Sequence, residues 1–249
     1  MGALQTLINY ADSIEFDRRN VVGIQYTRSE IPKVSETPTR NAWKINFKIS
    51  AGLPYSEVRE LLEQVDDLDR RKPDYLTFSN NPRLAWIARY RAQDFGVMTP
   101  TLARSLTVDS IKTVNGVSYN DTIILKNLPP ITGAGAVSST TPLFKTGDFI
   151  QLGNGTTNPY PFTVLSDVLR GTGTTVEVQL HRPVFMAPNS FINNTITVGS
   201  DVTFRMFCSN MPVYTLVPGA TKYANGALVN NAYIQWSDTF KLYEWTGEA

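Results

Sequence analysis

From residue 143 to 184 the chain reads LFKTGDFIQLGNGTTNPYPFTVLSDVLRGTGTTVEVQLHRPV, three β-patterned runs joined by Gly, Asn and Thr turns. No other feature narrows the fold as far. A period of two sends alternate side chains to opposite faces, which is the pattern of a half-buried strand. Val176, Val178 and Leu180 would share one face while Glu177, Gln179 and His181 take the other. Gly147-Asp148 opens the run at 149–152, and Arg170-Gly171-Thr172-Gly173 separates the next two runs, so turn chemistry and alternation agree. Almost nothing reactive lies in the stretch, and it reads as building material.

Upstream, the first clear strand is expected at 21–27 and a second at 42–50, where Trp43, Ile45, Phe47 and Ile49 oppose Lys44, Asn46 and Lys48. Between them Pro32 and Pro38, with Ser, Thr and Glu, mark an exposed connector. One helix follows over 56–71, its stripe formed by Val58, Leu61, Leu62, Val65 and Leu68. Ser56 serves as N-cap, Glu57 and Glu60 sit early, Arg70, Arg71 and Lys72 sit late, and Pro73 stops the helix. Short strands at 75–78 and 84–91 flank the turn Ser79-Asn80-Asn81-Pro82.

Beyond Met98-Thr99-Pro100 the runs at 106–111, 122–125, 149–152, 162–168, 175–182 and 202–207 have the spacing of a barrel or sandwich. Residues 128–142, LPPITGAGAVSSTTP, read as a loop, and 210–232 as irregular. The last strand is expected at 233–245, with Trp236, Phe240, Tyr243 and Trp245 along it. No internal repeat is visible.

A chain of 249 residues can bury a full core without disulfides. The single Cys208 cannot close an intramolecular bridge; it is expected to be a buried small apolar residue, in a protein that folds in a reducing cytoplasm. The first twenty residues lack the pattern of a signal peptide, and no apolar run reaches the length of a membrane-spanning helix. Net charge is +1, with 15 basic and 13 acidic side chains over residues 1–104 and only 8 and 9 over 105–249. The second part, poor in charge and rich in Thr, Asn, Gly and Val, suits a β-domain whose faces are largely covered. Neither part is basic enough for a nucleic-acid grip of its own.

Chemistry is sparse. His181 is the only histidine and falls on the polar face of a strand, which deprives an acid–base enzyme of its usual residue. No Cys/His cluster or calcium loop occurs, and Glu63, Asp66, Asp67 and Asp69 read as the solvated face of the helix. Neither a P-loop, nor G-x-G-x-x-G, nor a nucleophile elbow is present, and Gly171-Thr172-Gly173 is too short to hold a dinucleotide. Paired carboxylates for glycoside hydrolysis have no sequence spacing of their own, which leaves that enzyme class as a distant third reading. No catalytic, cofactor-binding or metal-ligating residue is assigned. The aromatics Tyr10, Phe16, Tyr26, Trp43, Tyr75, Trp86, Tyr90, Trp236, Tyr243 and Trp245 are mostly expected in the core, the remainder serving a sugar-binding face or a subunit contact.

Three passages carry a resemblance: INYADSIEFDRRNVVG near the start, the block AWKINFKISAGLPYSEVRELLEQVDDLDRRKPDYLTFSNNPRLAWIARY, and GDFIQLGN with PFTVLSDVLRGTGTTVEVQLHRP. With the closing WSDTFKLYEW they span about half of the chain. In order and texture the chain resembles the distal-tail and tail-tube-like baseplate proteins of tailed bacteriophages. That resemblance implies a mainly β fold with one flanking α-helix: a tail-tube-like β-sandwich carrying an inserted small β-barrel. It implies no catalytic residue and no cofactor.

The expected layout is a ring-forming domain from residues 1–98 plus 209–249 and a small β-barrel from 99–208. The resemblance implies a virion protein of the tail, synthesised in the bacterial host cytoplasm. Copies would form a homo-oligomeric ring, expected to be a hexamer, at the distal end of the tail tube. Its partners would be the neighbouring tube and baseplate or hub proteins, with DNA passing through the lumen and no membrane involved. Lumen-facing residues should then be polar or acidic, since basic groups would hold phosphates. The alternative is a carbohydrate-binding module of a phage or cell-surface receptor-binding protein, using exposed aromatics.

Overall fold

The alternation at 42–50 is realised as the strand Lys44–Lys48, with Trp43, Ile45, Phe47 and Ile49 buried and Lys48 exposed. The structure, a computed structural model, describes residues 2–17, 22–26, 32–36, 42–49, 52–66, 73–78, 105–153, 160–222 and 228–245. It is mainly β, with several antiparallel sheets and, among the described residues, two α-helices. The chain divides into two compact units, Met1–Asp74 with Met206–Ala249, and Tyr75–Arg205. The domain boundary expected at 98/99 lies outside the described residues.

In the first unit, Lys44–Lys48 pairs antiparallel with Ser13–Asp17 on one side and Phe240–Glu244 on the other. The sheet continues through Phe204–Asn210 to Asp74–Leu76, the two strands in which the chain passes between units. Phe47 and Phe240, directly opposed in the ladder, stack at 4.6 Å with planes 2° apart. Cys208, on Phe204–Asn210, is buried, as its apolar strand context requires.

A second sheet orders Tyr214–Lys222, Leu228–Trp236 and Leu53–Pro54. Helix Tyr55–Asp66 starts where Leu53–Pro54 ends and buries Val58, Leu61 and Leu62, the stripe read from the sequence; it packs on Leu228–Trp236. The remainder of that helix, expected to reach residue 71, and the strand expected at 84–91 lie outside the described residues.

The expectation of a single helix is corrected. Ala3–Asn9 is a second one, burying Leu4, Leu7 and Ile8 and packing on Tyr55–Asp66. Seven residues with no side-chain cap make a weak local signal. Its cap comes from far along the chain, since the Asp74 carboxylate accepts the Leu4 N–H at 3.1 Å. A side chain at Gly2 would occupy the space of that carboxylate.

Three further readings are corrected. Within the expected connector, Pro32–Glu36 is a strand paired antiparallel with Val22–Tyr26; its proline stands at the first position, where a strand tolerates it. The expected irregular piece at 210–232 instead holds Tyr214–Lys222 and the start of Leu228–Trp236, paired over nine residues. The expected final strand is correspondingly two strands, Leu228–Trp236 and Phe240–Glu244, separated by the bend at Ser237-Asp238.

In the second unit six strands close into a barrel. Thr107–Val114 pairs with Val117–Lys126, which pairs with Val176–Gln179. Phe149–Leu152 lies between Pro161–Thr163 and Ile196–Val198. Two seams join these halves. At one, Val164 bridges Leu180 while the Leu165 N–H donates to Gln179 O and the His181 N–H to Thr163 O, at 2.9 and 3.0 Å. At the other, Thr107 bridges Thr195 while the Val108 N–H donates to Asn194 O and the Ile196 N–H to Leu106 O, at 3.0 and 3.2 Å.

Closure leaves the barrel wall without an open edge. Its filling includes Val108, Ile123, Leu125, Ile150, Phe162 and Val178. Leu143, Phe144 and Val168, from the small pairing of Pro142–Phe144 with Val168–Leu169, join the same core. Phe149–Leu152 is buried on both faces, because Phe149 packs edge-on to Phe204 outside the wall and Gln151 exchanges hydrogen bonds with the Thr203 backbone.

Candidate assembly interface

A nine-residue strand at the rim of a sheet presents a row of main-chain donors and acceptors, and natural proteins blunt such rows with charge, proline or a covering element. Tyr214–Lys222, YTLVPGATK, is such a rim strand: Leu228–Trp236 pairs with one side, and among the described residues no strand pairs with the other. It carries no charge before Lys222, and Pro218 is its one blunting device.

Its apolar row is also incomplete. Tyr214 stands opposite Trp236 with the rings edge-on at 5.3 Å, and Leu216 stands opposite Ile234. Trp236 and Ile234 are buried, yet Leu216, in the same row, is 51 % exposed. The buried layer therefore runs off the rim of the sheet uncovered.

The second unit offers a smaller apolar projection. Its longest hairpin turns at Asn115-Gly116, with φ of +50° and +80°, the left-handed pair that a tight hairpin turn needs. Val114 and Val117 flank the turn, 41 % and 60 % exposed. A register shift between Ile111 and Lys112 sets this tip apart from the barrel wall, and Lys112 is tied back by an ion pair with Glu177 at 2.6 Å.

The residues singled out in the sequence for chemistry do not converge. His181 lies just past Val176–Gln179 in the barrel seam, where its Nδ1 accepts the Thr163 N–H at 3.0 Å and its ring meets Phe162 edge-on. Glu63 is exposed on its helix, as a solvated face requires, while Asp67 and Asp69 lie outside the described residues. Among the described residues no group of three His, Cys, Asp or Glu could hold a metal ion. Of the aromatics considered for a sugar-binding face, Trp43 and Trp236 are buried and Tyr75 is exposed; Trp86 and Tyr90 lie outside the described residues.

One electrostatic cluster was not legible in the sequence, because it joins two turns. The Lys145 ammonium donates to Asp167 at 2.8 Å, and the Thr146 N–H and hydroxyl donate to the same carboxylate at 2.9 and 3.0 Å. These bonds hold Asp167 down at a pKa of about 2. Asp148, two residues beyond Thr146, accepts the Lys145 N–H at 2.8 Å, but burial dominates and pushes it up to about 6. The cluster clamps residues 145–148 to 164–167 and presents no nucleophile.

Among the described residues, then, the arrangement best equipped to act on another molecule is a rim strand with an uncovered apolar row. The chain matches no protein-family model and no curated protein sequence.

Proposed function

We propose that this chain is a structural subunit of a bacteriophage tail, assembling with copies of itself into a ring at the distal end of the tail tube. The ring connects the tube to the baseplate and leaves a lumen for DNA. The observation that carries this reading is the rim strand Tyr214–Lys222, uncharged over eight residues and continuing a buried apolar row that Leu216 leaves open. A strand contributed by a neighbouring copy would pair its main chain and cover Leu216 together, and head-to-tail contacts of this kind close into rings. The sequence resemblance to distal-tail and tail-tube-like proteins supplies the biological setting.

Electron microscopy of the purified protein, with mass spectrometry of purified virions, tests this directly. Sixfold rings and recovery of the chain from virion tails are the expected results. A monomer at micromolar concentration that is absent from virions would overturn it.

A further inference from the structure

The guanidinium of Arg170 can be accounted for donor by donor. Its residue is only 6 % exposed. Nε donates to Pro129 O, and Nη1 donates to Gly171 O at 3.2 Å and Gly173 O at 2.7 Å. An arginine has five N–H donors, so these three carbonyls leave the two on Nη2. Nη2 donates to no group among the described residues, and it is not one of the polar atoms sealed from solvent.

The charge is equally unanswered. Arg170 makes no ion pair among the described residues, and residues 127–144, the loop it fastens, carry no charge. A guanidinium sunk in a neutral loop, met by carbonyls alone, favours an anion wherever its remaining donors reach solvent. The backbone around it is fixed: the Arg170 N–H donates to Thr141 O at 2.9 Å and the Gly171 N–H to Ser139 O at 2.8 Å. Gly171 supports this with φ of +60°, a conformation that a side chain would strain. The guanidinium itself is thereby held between the Pro129 carbonyl and the 171–173 turn in a set geometry.

We propose that Arg170 anchors an oxyanion-binding site, in which Nη2 receives a phosphate or carboxylate oxygen beside Pro129 and the 171–173 turn. The site is independent of the rim strand and of the assembly reading. Its three carbonyl bonds pre-orient the guanidinium, so an incoming anion meets a charge that is already fixed in place.

The test is an NMR titration of the full chain labelled with ¹⁵N-arginine, using inorganic phosphate, dimethyl phosphate and acetate, with chloride holding ionic strength constant. A saturable shift of the Arg170 guanidinium resonances with at least one of the three is expected, with no such shift at the other arginines. The responding anion identifies the group as a phosphate monoester, a phosphodiester or a carboxylate. In uniformly ¹⁵N-labelled protein the backbone amides of Arg170, Gly171 and Gly173 should show the same saturable response, and Arg170→Lys should abolish it at Gly171 and Gly173 while circular dichroism reports the fold. If that variant does not fold, the parent titration decides alone. A parent response equal to that with chloride for all three anions, or an undiminished response in folded Arg170→Lys, would overturn the site.

Discussion

Trp43 and Glu244 hold each other reciprocally: the Trp43 N–H donates to the Glu244 carboxylate at 3.0 Å, and the Glu244 N–H donates to Trp43 O at 2.8 Å. Both residues are buried. Glu244→Ala removes the acceptor from a buried N–H and is expected to destabilise the first unit by about 1–3 kcal/mol, whereas Glu244→Gln keeps an acceptor and should lose less. Urea denaturation followed by tryptophan fluorescence ranks the three proteins. Equal midpoints for parent and Glu244→Ala would refute the assignment.

The two carboxylates of the 145–167 clamp act on stability in opposite directions. Asp148, raised from 3.8 to about 6 by burial, holds its proton more tightly when folded; its contribution is full below 3.8 and is lost as pH rises through 6. Asp167, lowered to about 2 by the Lys145 ammonium and by Thr146, contributes above 3.8 and loses that contribution as pH falls through 2. Asp148→Asn should therefore be more stable than the parent at pH 7, by roughly 3 kcal/mol at most. It should also flatten the decline in stability from about pH 4 to 6 that is expected of the parent. Denaturation curves across that range measure both effects.

Leu216→Lys places a charge on the open apolar row of the rim strand, at a side chain already half exposed. The expected outcome is loss of rings with the monomer still folded, read by sedimentation velocity and circular dichroism. Rings surviving the substitution would move the subunit contact elsewhere.

Phe47 and Phe240 stack face to face between neighbouring strands. In a double-mutant cycle Phe47→Leu with Phe240→Leu should lose about 0.5–1.5 kcal/mol less than the sum of the two single losses, because each single substitution already forfeits the stack. Strict additivity would show that the stack contributes area alone.

What could be read from the sequence follows from where each segment finds its partners. Trp43, Ile45, Phe47 and Ile49 announced their strand because one face is core and the other is not. Val176 to Leu180 did the same for the barrel. Tyr214–Lys222 was illegible because a rim strand need not alternate cleanly and can hold Pro218 and Gly219, which read as breakers. The helix Ala3–Asn9 was missed because its cap is Asp74, 70 positions away. The donors of Arg170 are illegible for the same reason: Arg170-Gly171-Thr172-Gly173 spells a turn, and nothing in those letters points to Pro129 O.

The closed barrel has a consequence for the order in which the protein can be made. All six of its strands lie between Tyr75 and Arg205, so its seams can be satisfied before Phe240–Glu244 emerges from the ribosome. Lys44–Lys48 is synthesised earlier but receives Phe240–Glu244 as a neighbour only when nearly the whole sequence has emerged. During that interval an apolar strand face waits with one side unpaired, the kind of species that aggregates or recruits a chaperone. A nascent chain paused once residue 205 has cleared the ribosome should thus carry a protease-resistant barrel and a protease-sensitive beginning, and yield in production should depend more on how fast Phe240–Glu244 arrives than on the stability of the barrel.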